Sequence, residues 1–224
     1  GSSLTVNYGH TAIDNIFNGF PSATRQRYYF RDMNSLGGYT YQYNSTSGFA
    51  ANVPARAAFE RALISWRCNT GMNWRIGANT ATGFGNDGVN VVLFDPSLPV
   101  GVLARATSRF SGNAIPGLCD LQNTVWCAEE LDIQFQNPPS AGFTWEFGPA
   151  TPSASEFDFE SVALHELGHH HGLQHVISPG AVMHWALSNG AFNRTLSAND
   201  IAGANARMAY STVATCFNPA ACGT

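Results

Sequence analysis

From His165 to His175 the chain reads His-Glu-Leu-Gly-His-His-His-Gly-Leu-Gln-His. His165 and His169 are four residues apart, so on a helix they share one face and can hold one metal ion. Glu166 follows the first of them and can reach a water beside that ion. Gly172 is the natural end of the helix, because glycine accepts the left-handed backbone of a sharp turn. The turn would bring His175 round as a third ligand. Three neutral imidazoles leave the fourth position of a zinc ion open, as in catalytic rather than structural sites. A bare His-Glu-x-x-His arises often by chance in helices, and the added glycine and third histidine make the pattern far more specific. The bland reading is a polar helix rich in histidine. His170 and His171 fall outside the ligand pattern and read as surface or supporting residues, and His184 reads as structural.

The elements that must position these groups are partly legible. Tyr39 to Tyr43 alternates aromatic and polar residues and predicts a strand. Pro54 opens a helical pattern in which Phe59, Leu63 and Trp66 form one apolar face, closed by Gly71. Met72–Ile76, Val89–Phe94, Val100–Thr107 and Leu131–Gln136 are further strand candidates. A loop rich in Pro, Gly and Ser runs from Asn137 to about Ser155, before a helix over Phe157–Leu173. The last helix begins near Leu196, with Ser197 as its N-cap and Asp200 completing a capping box. Residues 1–24 are polar with scattered apolar positions and read as a segment wrapping the surface.

Composition narrows the function classes. With 224 residues, 44% of them hydrophobic, the chain can bury a full core, and we expect one domain over 1–224. No run of about 18 apolar residues predicts a transmembrane helix. No signal peptide is visible, and Gly1-Ser2-Ser3 reads as a trimmed or recombinant start. Net charge is −4 and the chain contains no lysine, which argues against a nucleic-acid partner. Five cysteines point to an oxidising compartment, hence a secreted protein. Cys119 with Cys127 and Cys216 with Cys222 flank short loops and are the candidate local disulfides. Cys68 is then left over, as a buried thiol or a partner for another segment. Asn44 and Asn193 stand in N-x-Ser/Thr patterns.

The histidine motif resembles that of the metzincin metallopeptidases. Met183, eight residues past His175, sits where a metzincin carries the methionine of its turn beneath the zinc. Ser161–His169, Leu196–Ala204 and Leu103–Ala106 resemble the active-site helix, C-terminal helix and edge strand of the matrixins, the matrix metalloproteinase-like family. The likeness spans roughly 25–210. It implies an α+β, zincin-like fold: a mixed twisted sheet of about five strands and three main helices. The cleft would lie between an upper subdomain and a smaller lower one at about 176–224. Three features depart from the family. Matrixins usually hold a second, structural zinc, but Arg105 and Gln134 occupy the positions expected of two of its ligands, so no structural zinc is expected. Val176 replaces the usual Ser or Thr after the third histidine. Met183-His184-Trp185 is similar to the astacin turn, with a tryptophan that cannot ligate metal. Calcium is left open by the oxygens of Asn86, Asp87, Glu129, Glu130 and Asp132.

The resemblance implies a secreted zinc metalloendopeptidase (EC 3.4.24 type) with one catalytic zinc on His165, His169 and His175 and Glu166 as general base. It would bind an extended polypeptide along Leu103, Ala104, Arg105 and Ala106, with Trp185, Ala186 and Leu187 walling the pocket. A monomer is expected, with a removed propeptide or protein inhibitor as further partners. A non-catalytic zinc-binding module and a zinc hydrolase of a non-peptide bond are the alternatives. The presence of Glu166, which is not a ligand, weighs against the first.

Overall fold

The computed structural model describes residues 3–8, 27–29, 34, 38–70, 72–111 and 125–208. Its elements run β1 (Ser3–Tyr8), β2 (Arg27–Tyr29), β3 (Thr40–Tyr43), α1 (Val53–Asn69), β4 (Arg75–Ile76), β5 (Asn90–Phe94), β6 (Ala104–Ser111), β7 (Val125–Phe135), β8 (Thr144–Glu146), β9 (Glu156–Asp158), α2 (Phe159–His170) and α3 (Ala198–Met208). The fold is α+β. The main sheet has the order β1-β6-β7-β5-β3-β4, with β2 pairing β7. Five of its strands are those the sequence predicts. β1 and β2 lie in or near the stretch expected only to wrap the surface. β3, β4, β5 and β7 run parallel, whereas β6 is antiparallel to β7.

Side-chain period decides which face of the sheet is covered. Tyr41 and Tyr43 of β3 are buried while Thr40 and Gln42 are half-buried. The buried tyrosines meet Phe59 of α1 edge-on, at 5.7 and 6.1 Å between ring centroids. Phe49, Phe135 and Phe159 extend this aromatic layer towards α2. α1 starts where Asn52 accepts the Ala55 N–H at 3.0 Å, with Pro54 in its first turn. The predicted Phe59, Leu63 and Trp66 stripe is buried. Trp66 donates its indole N–H to the Leu164 carbonyl at 2.7 Å, tying α1 to the helix that carries the motif.

Several boundaries move. The strand expected at Val100–Thr107 is Ala104–Ser111, with β1 paired outside it, and the strand expected at Leu131–Gln136 extends back to Val125. The loop expected at 137–155 contains β8, which pairs with β9. α1 ends at Asn69 with Thr70 as its cap, and Gly71 lies outside the described residues.

Two of the acidic groups weighed as calcium ligands are otherwise engaged. Glu130 and Asp132 are buried and share the Arg109 guanidinium. Glu130 also accepts the N–H groups of Asp87 and Gly88, and Asp132 that of Val91. Asn44 is buried too, with its oxygen taking the Thr46 and Ser47 N–H groups, so this pattern is no glycan acceptor in the folded chain. Cys68, half-buried in the last turn of α1, is disulfide-bonded rather than a spare thiol. Cys119, Cys216 and Cys222 lie outside the described residues, and only the backbone of Cys127 is described.

Candidate metal centre

α2 is built to stop. Asp158 caps its start, accepting the Ser161 N–H at 2.8 Å, and is held in turn by Arg194. At its end Gly172 takes a φ of +77°, the left-handed value that its place in the motif requires. Leu173 N–H reaches back to the Gly168 carbonyl and Gly172 N–H to that of His169, a Schellman cap. The helix therefore ends at His170, short of the predicted Leu173, and the chain turns to bring His175 over the face that carries His165 and His169.

The three imidazoles converge. His175 Nε2 lies 3.1 Å from His169 Nε2 and 3.1 Å from His165 Nε2. The other ring nitrogens of the two helical histidines are occupied: His165 Nδ1–H donates to the Val182 carbonyl and His169 Nδ1–H to that of Leu173, each at 2.8 Å. These bonds leave Nε2 of both rings bearing a lone pair. Three ring nitrogens converging at this distance form a donor set that one cation can share. A tetrahedral zinc with nitrogens at about 2.0–2.1 Å would set them about 3.3 Å apart. Among the described residues these three histidines form the group whose ligand atoms converge for a metal. The donor set fits zinc.

Glu166, on the same turn, is buried. Burial pushes its carboxyl up to about 8, against a hydrogen bond from the Ala106 backbone and the charge of Arg105. The proximity of Ala106 and Arg105 places Glu166 beside β6 and the edge on which a polypeptide would lie. Ala104, Arg105 and Ala106 are on β6, and Leu103 just before it lines a pocket with Val162, His165, Val182, His184, Ala186 and Leu187. Two of the three expected wall residues thus line the pocket. Trp185 does not: it is 43% exposed and tilts against His184. Ser161 and Asn193 also line it, a polar contribution the sequence reading missed.

Arg105 and Gln134 are directly opposed across β6 and β7. Gln134 donates to Asp95 at 2.5 Å; against burial, bonds from Ser97, then that from Gln134, then the charge of Arg105 lower the Asp95 carboxyl. A guanidinium and an amide thus stand at the two positions expected of second-zinc ligands.

Beneath the metal centre, Met183 is 2% exposed and its carbonyl accepts the Val176 N–H at 2.8 Å. Val182, one residue earlier, carries the oxygen that orients His165. Its own N–H is held by Asp200 of α3 at 3.2 Å. The capping box of α3 forms as predicted, with Ser197 and Asp200 exchanging bonds. Its second role toward Val182 had no sequence signal, because nothing in the spacing of 182 and 200 announces a contact.

His170 and His171 are not surface residues: both are fully buried. Tyr41 donates its hydroxyl to His170 Nδ1 at 2.7 Å. His171 sits between Trp66 and Trp74, with ring centroids 4.8 and 4.5 Å away. Burial drives both imidazoles down to about 3, so they stay neutral. They are core side chains that fasten α2 to β3 and α1. Helical spacing puts them on the inner face once α1 and the sheet close over α2 from opposite sides.

A mixed sheet over a helix that ends at a three-histidine cradle, with a methionine turn below, defines a metzincin metallopeptidase. The family model for Matrixin matches residues 38–208, more than half of the chain, and the protein belongs to that family of zinc metallopeptidases. No curated protein matches the sequence.

Proposed function

We propose that the chain is a secreted endopeptidase of the EC 3.4.24 type, one catalytic domain that cleaves extended polypeptides with Glu166 as its general base. The observation that carries this reading is the pairing of three converging Nε2 atoms with a buried, non-ligating carboxylate one residue from the first of them. A zinc ion on His165, His169 and His175 would supply Lewis acidity and lower the pKa of water toward about 7. Glu166 takes a proton from the attacking water as its oxygen bonds to the scissile carbonyl carbon. It hands that proton to the amide nitrogen as the carbon–nitrogen bond breaks. Val182 and Leu173 hold two of the rings in one tautomer throughout. The substrate backbone adds to the edge of β6 near Leu103, and an apolar side chain after the cut enters the pocket against Val162, Val182 and Leu187.

The cysteine usage supports secretion, as does the disulfide bond of Cys68. No helix among the described residues is long and apolar enough to cross a membrane. The test is casein cleavage by the zinc-loaded wild type and by Glu166→Gln. Activity in the wild type and a loss of several orders of magnitude in the variant, with zinc retained, is the expected result. Equal activity in both would remove Glu166 from the chemistry. Silence in both with zinc bound would overturn the peptidase reading.

A further inference from the structure

The edge of β6 on which a substrate would lie already carries a strand. β1 pairs antiparallel with β6 in unbroken register, from Ser3 opposite Ser111 to Tyr8 opposite Ala106. The other edge of β6 is taken by β7. The register of β1 therefore covers Ala106–Ser111 and stops before Leu103, Ala104 and Arg105. Ala106, where it stops, is also the residue whose backbone lies beside the Glu166 carboxyl. Leu103 lines the pocket with His165. An extended chain running in the direction of β1 would lay its N-terminal arm on Ser111–Ala106. It would reach the pocket with its C-terminal arm. Backbone groups on a strand edge serve one partner at a time, so that N-terminal arm and β1 want the same N–H and C=O groups.

We propose, resting on the peptidase reading, that β1 is an internal occupant of the substrate edge: it fills the place of the N-terminal arm of an extended polypeptide, and its release lengthens the usable edge from Leu103–Arg105 to the whole of β6. The sequence Ser-Leu-Thr-Val-Asn-Tyr suits this role. It has β-branched residues at its centre and no charge, so its hold on β6 is that of a short edge strand with one neighbour, the kind of element that opens at low free energy.

The experiment compares two peptides with the same C-terminal arm and the same apolar residue after the cut, one with a single residue before the cut and one with four. The wild type should cleave both with similar kcat/KM. The full chain carrying Leu4→Pro and Val6→Pro, which removes two ladder donors from β1, should prefer the longer peptide by about tenfold, the factor that two recovered backbone hydrogen bonds supply. A second variant, Leu4→Pro with Val6→Cys and Ser108→Cys, keeps one proline to loosen β1 and pins the strand at a register pair when oxidised with oxidised glutathione. It should show no preference until reduced, measured against wild type under the same reductant. A wild type that already gains tenfold from the longer arm would overturn the proposal. So would release and pinning that leave the preference unchanged in proteins with native circular dichroism.

Binding of the labelled long peptide to Glu166→Gln, with and without the two prolines, separates this inference from the reading beneath it. Tighter binding on release with no cleavage by any form would sink the peptidase and keep the docking edge. Ready cleavage with equal binding would sink the docking edge alone.

Discussion

Asp200 caps α3 and, with the same Oδ2 atom, accepts the Val182 N–H at 3.2 Å. Val182 in turn offers its carbonyl to His165 Nδ1. One carboxylate on the last helix thus holds the residue whose carbonyl orients a metal ligand. Asp200→Ala should weaken zinc affinity about tenfold, the lower end of what outer-shell losses cost. It should also lower stability by about 1–2 kcal/mol through the lost cap. Competition with a chromophoric chelator measures the first and urea unfolding of the metal-free protein the second. An unchanged zinc affinity beside a lost cap would show that the contact only tethers α3.

The ligands, the turn at Gly172, the apolar face of α1 and the capping box were legible in the sequence because each is a local pattern with a fixed spacing. What was illegible depends on pairs distant in sequence. His170 and His171 look solvent-facing as part of a polar run, and only the arrival of Tyr41, Trp66 and Trp74 makes them core residues. Likewise the acidic pattern at Glu130 and Asp132 looks like a cation site until Arg109, on the neighbouring strand, is placed between them. β1 was missed because an isolated edge strand carries only a weak alternation, and its partner lies about a hundred residues away in sequence.

Gly168 is demanded by packing rather than by backbone freedom. A Cβ there would stand 2.2 Å from Met183 Sδ and 3.0 Å from Trp66 Cζ2. Gly168→Ala should therefore cost about 1–3 kcal/mol by overpacking. Adding Met183→Ala should return part of that loss, so the double variant falls short of the summed single effects. Additive losses in thermal or urea unfolding would place the cost elsewhere.

Chelation supplies a direct measure of what holds the three rings together. His175 Nε2 lies 3.1 Å from Nε2 of both His165 and His169, close enough for one cation to be shared by the three rings. Zinc at a thousandfold excess over its Kd should add about 4 kcal/mol of stability, seen as a raised Tm that chelator removes and fresh zinc restores. Magnesium should not substitute, since it prefers oxygen ligands. A melting temperature indifferent to zinc would mean the trio does not bind it in the folded chain.

The Arg109 cluster sets a pH dependence of opposite sense to ordinary acid unfolding. Burial pushes the Asp132 carboxyl up to about 7, and Glu130, on the same guanidinium, adds to the rise, while bonds from Val91 and Arg109 oppose it. An unfolded aspartate titrates near about 4. Between those values the folded chain keeps a proton that the unfolded chain has released. The contribution from this group is therefore present at low pH and is lost as pH rises through about 7. At higher pH two buried carboxylates face one cation. Zinc-saturated wild type should lose stability between pH 6 and pH 8, with a slope from this group of at most about 1.4 kcal/mol per pH unit. Asp132→Asn keeps an oxygen for the Val91 N–H and cannot ionise, so its stability should change less over the same range. Urea titrations of both proteins at each pH compare the slopes, and zinc affinity, common to the pair, cancels. Identical slopes would show that Asp132 is already ionised at pH 6, with Arg109 outweighing its burial.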